Sequence, residues 1–248
     1  MRKTKTARGF TLIEMMVVGG IVAILGAMAV SGVEGISERA APQNAAYDLS
    51  AAFAKARARA AERNTNVWVM IWPEGVKPGS TDTTTQNTTP PRGGAWVLYE
   101  DQDMNFDFAN TVTPDAVVDA GKNKVMARKY LADYAKKNVV FGIPTSTART
   151  GLESNVDTKT AATTSERDYM FTKIAEGGGC TFCSGSGEQQ RGAVVFTPDG
   201  EARFVNSEGL RSYAAGTGKV SMINRSGTKH AFLFVISQAT SYVSFFSH

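Results

Sequence analysis

The chain has 248 residues, 42% apolar and 20% charged, long enough and apolar enough to bury a core in one sizeable domain with an extension or in two small ones. Its formal charge is +4, yet four of the 27 Lys+Arg fall in the first nine residues and the remaining 23 balance the 23 Asp+Glu, which rules out a basic nucleic-acid-binding domain. Two cysteines and two histidines exclude a disulfide-rich scaffold, a haem-attachment array and a multi-site zinc protein.

Residues 1–9, MRKTKTARG, form a basic leader into an apolar run from Phe10 to Val33 that is interrupted by one ionisable side chain, Glu14. The 19 uncharged residues from Met15 to Val33 would span roughly 28 Å as a helix, close to the hydrocarbon thickness of a bilayer. Positive charges precede the run, and Glu34, Glu38 and Arg39 follow it, so the positive-inside rule keeps the amino terminus cytoplasmic and sends the body outward. A secretory signal cut after Ala27-Met28-Ala29 and a plain uncleaved anchor are the competing readings. Neither gives a use to Glu14, whose carboxylate is costly in an apolar segment.

Gly9-Phe10-Thr11-Leu12-Ile13-Glu14-Met15-Met16-Val17-Val18, placed after a short basic leader, resembles the class III signal of type IV pilins and of the pseudopilins of type II secretion. The resemblance implies that a prepilin peptidase cuts between Gly9 and Phe10 and methylates the new Phe10 amine, leaving the apolar segment on the protein. It also implies a single-pass inner-membrane protein with a periplasmic head, which later joins a pilus or a periplasmic pseudopilus through an inner-membrane assembly platform. A buried carboxylate needs a partner, and the Phe10 amine of a neighbouring subunit is the one expected for Glu14, making it the docking residue.

Helical spacing continues past the apolar run: Leu49, Ala52, Phe53, Ala56 and Ala60 recur at three- and four-residue intervals, with Lys55, Arg57, Arg59 and Glu62 between them. One helix from Phe10 to about Arg63 would be roughly 80 Å long, with a bend or break expected at Pro42. Its transmembrane part is residues 10–33 and its amphipathic part residues 34–64, the spine of the head. Gly19, Gly20, Gly26, Gly32 and Gly35 weaken the first half in water by about 1 kcal/mol each and allow close approach in a packed bundle.

Residues 65–248 read as a β-rich head. Strand-like runs are 66–72, 95–100, 138–142, 169–174, 193–197, 202–205, 219–223, 230–237 and 241–246, rich in Val, Ile and aromatics and separated by turn signals such as Pro198-Asp199-Gly200. The expected fold class is therefore α+β, a long amino-terminal helix against antiparallel sheet, with a short helix in 114–136 and loops at 78–94, 144–167 and 176–192. Residues 53–64, Gly94-Ala95-Trp96-Val97-Leu98-Tyr99-Glu100-Asp101 and Val195-Phe196-Thr197-Pro198-Asp199-Gly200 together resemble the GspH/FimT group of minor pilins and pseudopilins.

Two motifs bear on chemistry. Asp101, Asp103, Asn105 and Asp107 alternate with the oxygen-ligand spacing of a calcium loop, but Phe106 stands at the loop's glycine position and Val112 at its bidentate carboxylate, so a solvated acidic turn is the plainer reading and no cofactor is required. Cys180 and Cys183, a CxxC in an exported head, are expected as a small disulfide loop, with zinc, redox catalysis and free thiols as the alternatives. Two histidines and no Gly-x-Ser-x-Gly elbow leave little for an enzyme. The expected function is a minor pilin that primes, or sits at the tip of, a type IV pilus. The alternative is a minor pseudopilin of a type II secretion system. DNA uptake would need a basic patch, for which Arg203, Arg211, Lys219, Arg225 and Lys229 are the candidates, and nucleic acid is not an expected partner.

Overall fold

The structure, a computed structural model, describes residues 11–74, 93–134, 139–143, 178–212, 216–224 and 230–247, without the side chains of residues 29–39 and 188. Helix α1, Leu12–Arg63, runs unbroken for 52 residues. The break expected at Pro42 does not occur: proline removes one N–H from the ladder, but the alanines at 41, 45 and 46 seat that turn in the core, where packing outweighs the lost bond. The helix ends where the sequence supplies a residue tolerant of left-handed backbone. Asn64 adopts φ 53 and ψ 47, and the N–H of Thr65 returns to the carbonyl of Ala60 at 3.3 Å.

Among the described residues nine strands follow: β1 Asn66–Trp72, β2 Ala95–Asp101, β3 Lys124–Tyr130, β4 Val139–Phe141, β5 Gly192–Phe196, β6 Ala202–Asn206, β7 Thr217–Asn224, β8 Phe232–Ser237 and β9 Val243–Ser247. They make a five-stranded sheet, β3-β2-β1-β5-β6, and a four-stranded sheet, β4-β7-β8-β9, with antiparallel pairing throughout. Of the expected runs, 169–174 lies outside the described residues, as do almost all of the expected loop 78–94 and all of 144–167. The short helix expected within 114–136 is present as two single 3-10 turns, Pro114–Ala116 and Leu131–Asp133, and the unexpected element between them is the strand β3. Lys124, Arg128 and Lys129 hide its strand character because β3 is an edge, where charged side chains reach water and guard the open ladder.

Strand alternation divides the core into layers. Val67, Val69 and Ile71 of β1, Val194 and Phe196 of β5, and Phe232, Phe234 and Ile236 of β8 join one cluster with Leu49, Phe53 and Ala56 of α1. Phe53 lies against both sheets, its ring centroid 6.2 Å from that of Phe196 and 5.9 Å from that of Phe234. The opposite face of the five-stranded sheet carries Met70, Trp72, Val97, Tyr99 and Val195 and is covered by Phe106, Phe108 and Val117. Trp72 Nε1 fixes that cover by donating to the Val112 carbonyl at 2.9 Å.

Candidate assembly interface

The amino-terminal half of α1 opens on a capping box. The backbone N–H of Glu14 donates to Thr11 Oγ1 at 3.4 Å, and the N–H and hydroxyl of Thr11 donate back to Glu14 Oε2 at 2.9 and 2.8 Å. Within a single chain, then, Glu14 is held at the helix start by Thr11. Gly9 and Phe10, the expected cleavage and methylation positions, lie outside the described residues.

Beyond this cap, the large apolar side chains from Leu12 to Met28 are 52% to 79% exposed. They point around the helix rather than along one stripe, and a Cβ built at Gly19, Gly20 or Gly26 meets nothing within 4 Å. Among the described residues, the chain's own packing leaves more than half of each of these side chains exposed. Among the described residues no helix is long and apolar enough to cross a membrane. The apolar run continues through residues 29–33, whose side chains are outside the description.

Among the described residues, the carboxy-terminal half of α1 is latched to the head at two polar positions, Arg59 and Asp48, as well as by its apolar stripe. Arg59 Nε donates to Glu100 Oε2 at 3.1 Å, and Gln102 Nε2 donates to Glu100 Oε1 at 3.0 Å, so a carboxylate only 2% exposed has both oxygens engaged. The hydrogen bond to Glu100 holds the Arg59 guanidinium above its ordinary range. Tyr134 donates its hydroxyl to Asp48 Oδ2 at 2.5 Å, and Lys129 Nζ stands 3.8 Å from the same oxygen. Burial, reinforced by that acceptor, pushes the Tyr134 phenol well above its usual value. Sequence reasoning missed both latches. Arg59 and Glu100 sit in two separate motif-like segments, and only the folded register of β2 beside the helix brings them together.

The acidic turn is organised by its own chain. Asp101, 1% exposed, accepts from Trp68 Nε1 at 3.3 Å and from the N–H groups of Asn105 and Phe106 at 3.3 and 3.2 Å. Asp107 accepts from the backbone N–H of Asn110 at 3.3 Å and from its side-chain amide at 2.6 Å, while Asn123 Oδ1 accepts from Gln102 and Asp103 N–H groups at 2.7 and 3.1 Å. Among the described residues, which include Asp101, Asp103, Asn105 and Asp107, no group of three or more His, Cys, Asp or Glu could hold a metal ion.

Cys180 and Cys183 are joined as a disulfide with Cα atoms 5.4 Å apart. The stretch expected as a loop, 176–192, is irregular up to Arg191 in its described part, with Gly185, Ser186, Gly187 and Gln189 exposed, yet about half of it enters the core. Cys180, Phe182, Gln190 and Arg191 are all buried, and the Gly/Ser composition that suggested a loop also lets the backbone pack closely. Of the cationic candidates, Arg203 lies 3.6 Å from Asp199 and 3.4 Å from Glu201, and Arg211 lies 4.0 Å from Glu201. Arg225 and Lys229 fall outside the described residues.

Residues 4–30 match the family described as the prokaryotic N-terminal methylation motif. That motif is the prepilin leader signature of type IV pilins and pseudopilins, and the match, confined to residues 4–30, supports a type IV pilin-like or pseudopilin reading of the chain. A leader of this type implies processing by a prepilin peptidase and assembly with other pilins. No curated protein and no solved structure matches the chain.

Proposed function

We propose that the chain is a minor pilin of the GspH/FimT kind, which primes assembly of a type IV pilus or sits at its tip. Phe10 to Val33 store it in the inner membrane with the head in the periplasm, and the chemistry it contributes is recognition between subunits rather than catalysis. The observation that carries this reading is the exposed apolar surface from Leu12 to Met28 on a helix whose other half is tightly packed. Moving eleven such side chains out of water is worth about 1.5–3 kcal/mol each, tens of kcal/mol in all. A bilayer and then a bundle of like helices both supply that environment, and the open glycines permit close helix approach in the second.

Glu14 is the docking residue of this proposal. In the single chain Glu14 Oε2 accepts both bonds from Thr11, and in a bundle the methylated Phe10 amine of a neighbour gives the carboxylate a cationic partner. Filaments sheared from cells and searched by mass spectrometry should contain peptides of this chain, and Glu14→Val should lower its recovery there while leaving leader cleavage intact. Recovery of the processed chain solely from the cell envelope would favour the secretion pseudopilin. Normal incorporation of Glu14→Val would sink the pairing.

A further inference from the structure

Residues 178–184 lie between the two sheets and are tied to each. On one side the N–H of Thr181 donates to the Lys219 carbonyl at 2.9 Å, the N–H of Ser221 donates to the Gly179 carbonyl at 2.7 Å, and Cys180 is bridged to Val220, so the segment extends the four-stranded sheet alongside β7. On the other side Ser184 and Arg191 exchange N–H to carbonyl bonds of 3.1 and 3.0 Å just before β5 of the five-stranded sheet. The Ser184 hydroxyl also accepts from the Ser207 N–H at 3.0 Å, next to the end of β6. Three residues thus carry the chain from one sheet to the other, and the disulfide closes across them.

The turn is also filled. Phe182, between the two cysteines, is 1% exposed and stacks on Phe204 of β6 with centroids 5.3 Å apart. Gly192 is where Phe182 and Cys183 press closest, at 2.8 and 3.0 Å from a Cβ built there. Cys180 is 0% exposed and Cys183 8%. A folded head therefore presents almost no sulfur surface to another protein, and exchange with a partner requires residues 178–192 to be open.

We infer that Cys180 and Cys183 form a clasp between the sheets, made by an oxidising thiol–disulfide exchange protein acting before the head closes and thereafter shielded from reductant. The thiolate of one cysteine attacks the donor's disulfide, joining one donor sulfur and expelling the other. The thiolate of the second cysteine then attacks the chain's own sulfur in that mixed bond, the Cys180–Cys183 bond forms, and the remaining donor sulfur leaves. The chain's two thiols give up two electrons and two protons, and the donor disulfide becomes a dithiol. This inference rests on the export of the head argued above, because a reducing compartment would offer no such donor.

The test uses the full chain in its native membranes, with dithiothreitol as reductant and a maleimide-polyethylene glycol as thiol probe. Thiols should appear at least about tenfold more slowly in the native protein than in urea, since reduction has to wait for local opening. Cys183→Ala and Cys180→Ala should each accumulate a mixed disulfide that collapses on reducing gels, because the resolving thiol is gone. Native reduction as fast as in urea, or absence of any trapped mixed disulfide in both single variants, would overturn the clasp while leaving export untouched. Cysteines found reduced in acid-quenched cells would overturn both the clasp and the exported head.

Discussion

The two halves of α1 obey opposite rules. From Ala41 to Ala60 the helix places small residues and two large ones, Leu49 and Phe53, on one stripe, and every position on that stripe is buried by the chain's own sheets. From Leu12 to Leu25 the large apolar side chains point in all directions and each is more than half exposed. The glycines make the same contrast. A Cβ at Gly218 of β7 would stand 2.1 Å from Phe204, whereas at Gly26 it would meet nothing. One half is buried by folding and, on the proposed function, the other is covered by association, so damage to the first should appear as lost stability and damage to the second as lost assembly.

That division gives predictions of graded size. Phe53→Ala, which empties the space between the two sheets, should destabilise the head by about 3–5 kcal/mol in denaturant unfolding of the full chain. Gly218→Ala should cost about 1–3 kcal/mol by forcing Phe204 aside. Tyr134→Phe should cost about 1 kcal/mol at neutral pH through loss of the bond to Asp48. It should also change the alkaline limb. Because the folded phenol is raised above its ordinary 10.0, its contribution is fully present below pH 10 and is lost as pH rises beyond that, so the variant should unfold with a shallower slope there. Gly26→Ala should leave head stability within about 0.5 kcal/mol of the parent and show its effect in filament recovery instead. A large stability loss at Gly26, or none at Gly218, would break the comparison.

Much of this contrast is legible in the sequence because it is local. Helical spacing through Leu49, Phe53 and Ala60 and the alternation in 66–72 are set by periodicity alone, and the observed elements fall there. The leader is legible for another reason: Gly9, Phe10 and Glu14 stand within a few residues of one another, so the pattern that matches the methylation motif is contiguous. What escaped was non-local or depended on environment. The charges of β3 conceal an edge strand, Pro42 is overridden by packing, and the burial of Cys180, Phe182, Gln190 and Arg191 within their loop is hidden because small polar residues serve close backbone contact as well as solvent exposure. The pairs Arg59–Glu100 and Asp48–Tyr134 join residues 41 and 86 positions apart, a separation at which spacing carries no signal.

The central claim is that the exposed half of α1 stays on the mature protein as its assembly surface, and the amino terminus of the processed chain tests it most directly. Mass spectrometry of the protein recovered from cells should give a peptide that begins at Phe10, carries one added methyl group on its amine and runs on into Thr11-Leu12-Ile13-Glu14. A mature chain beginning at Val30 would mean that the apolar segment is discarded, and would contradict the account.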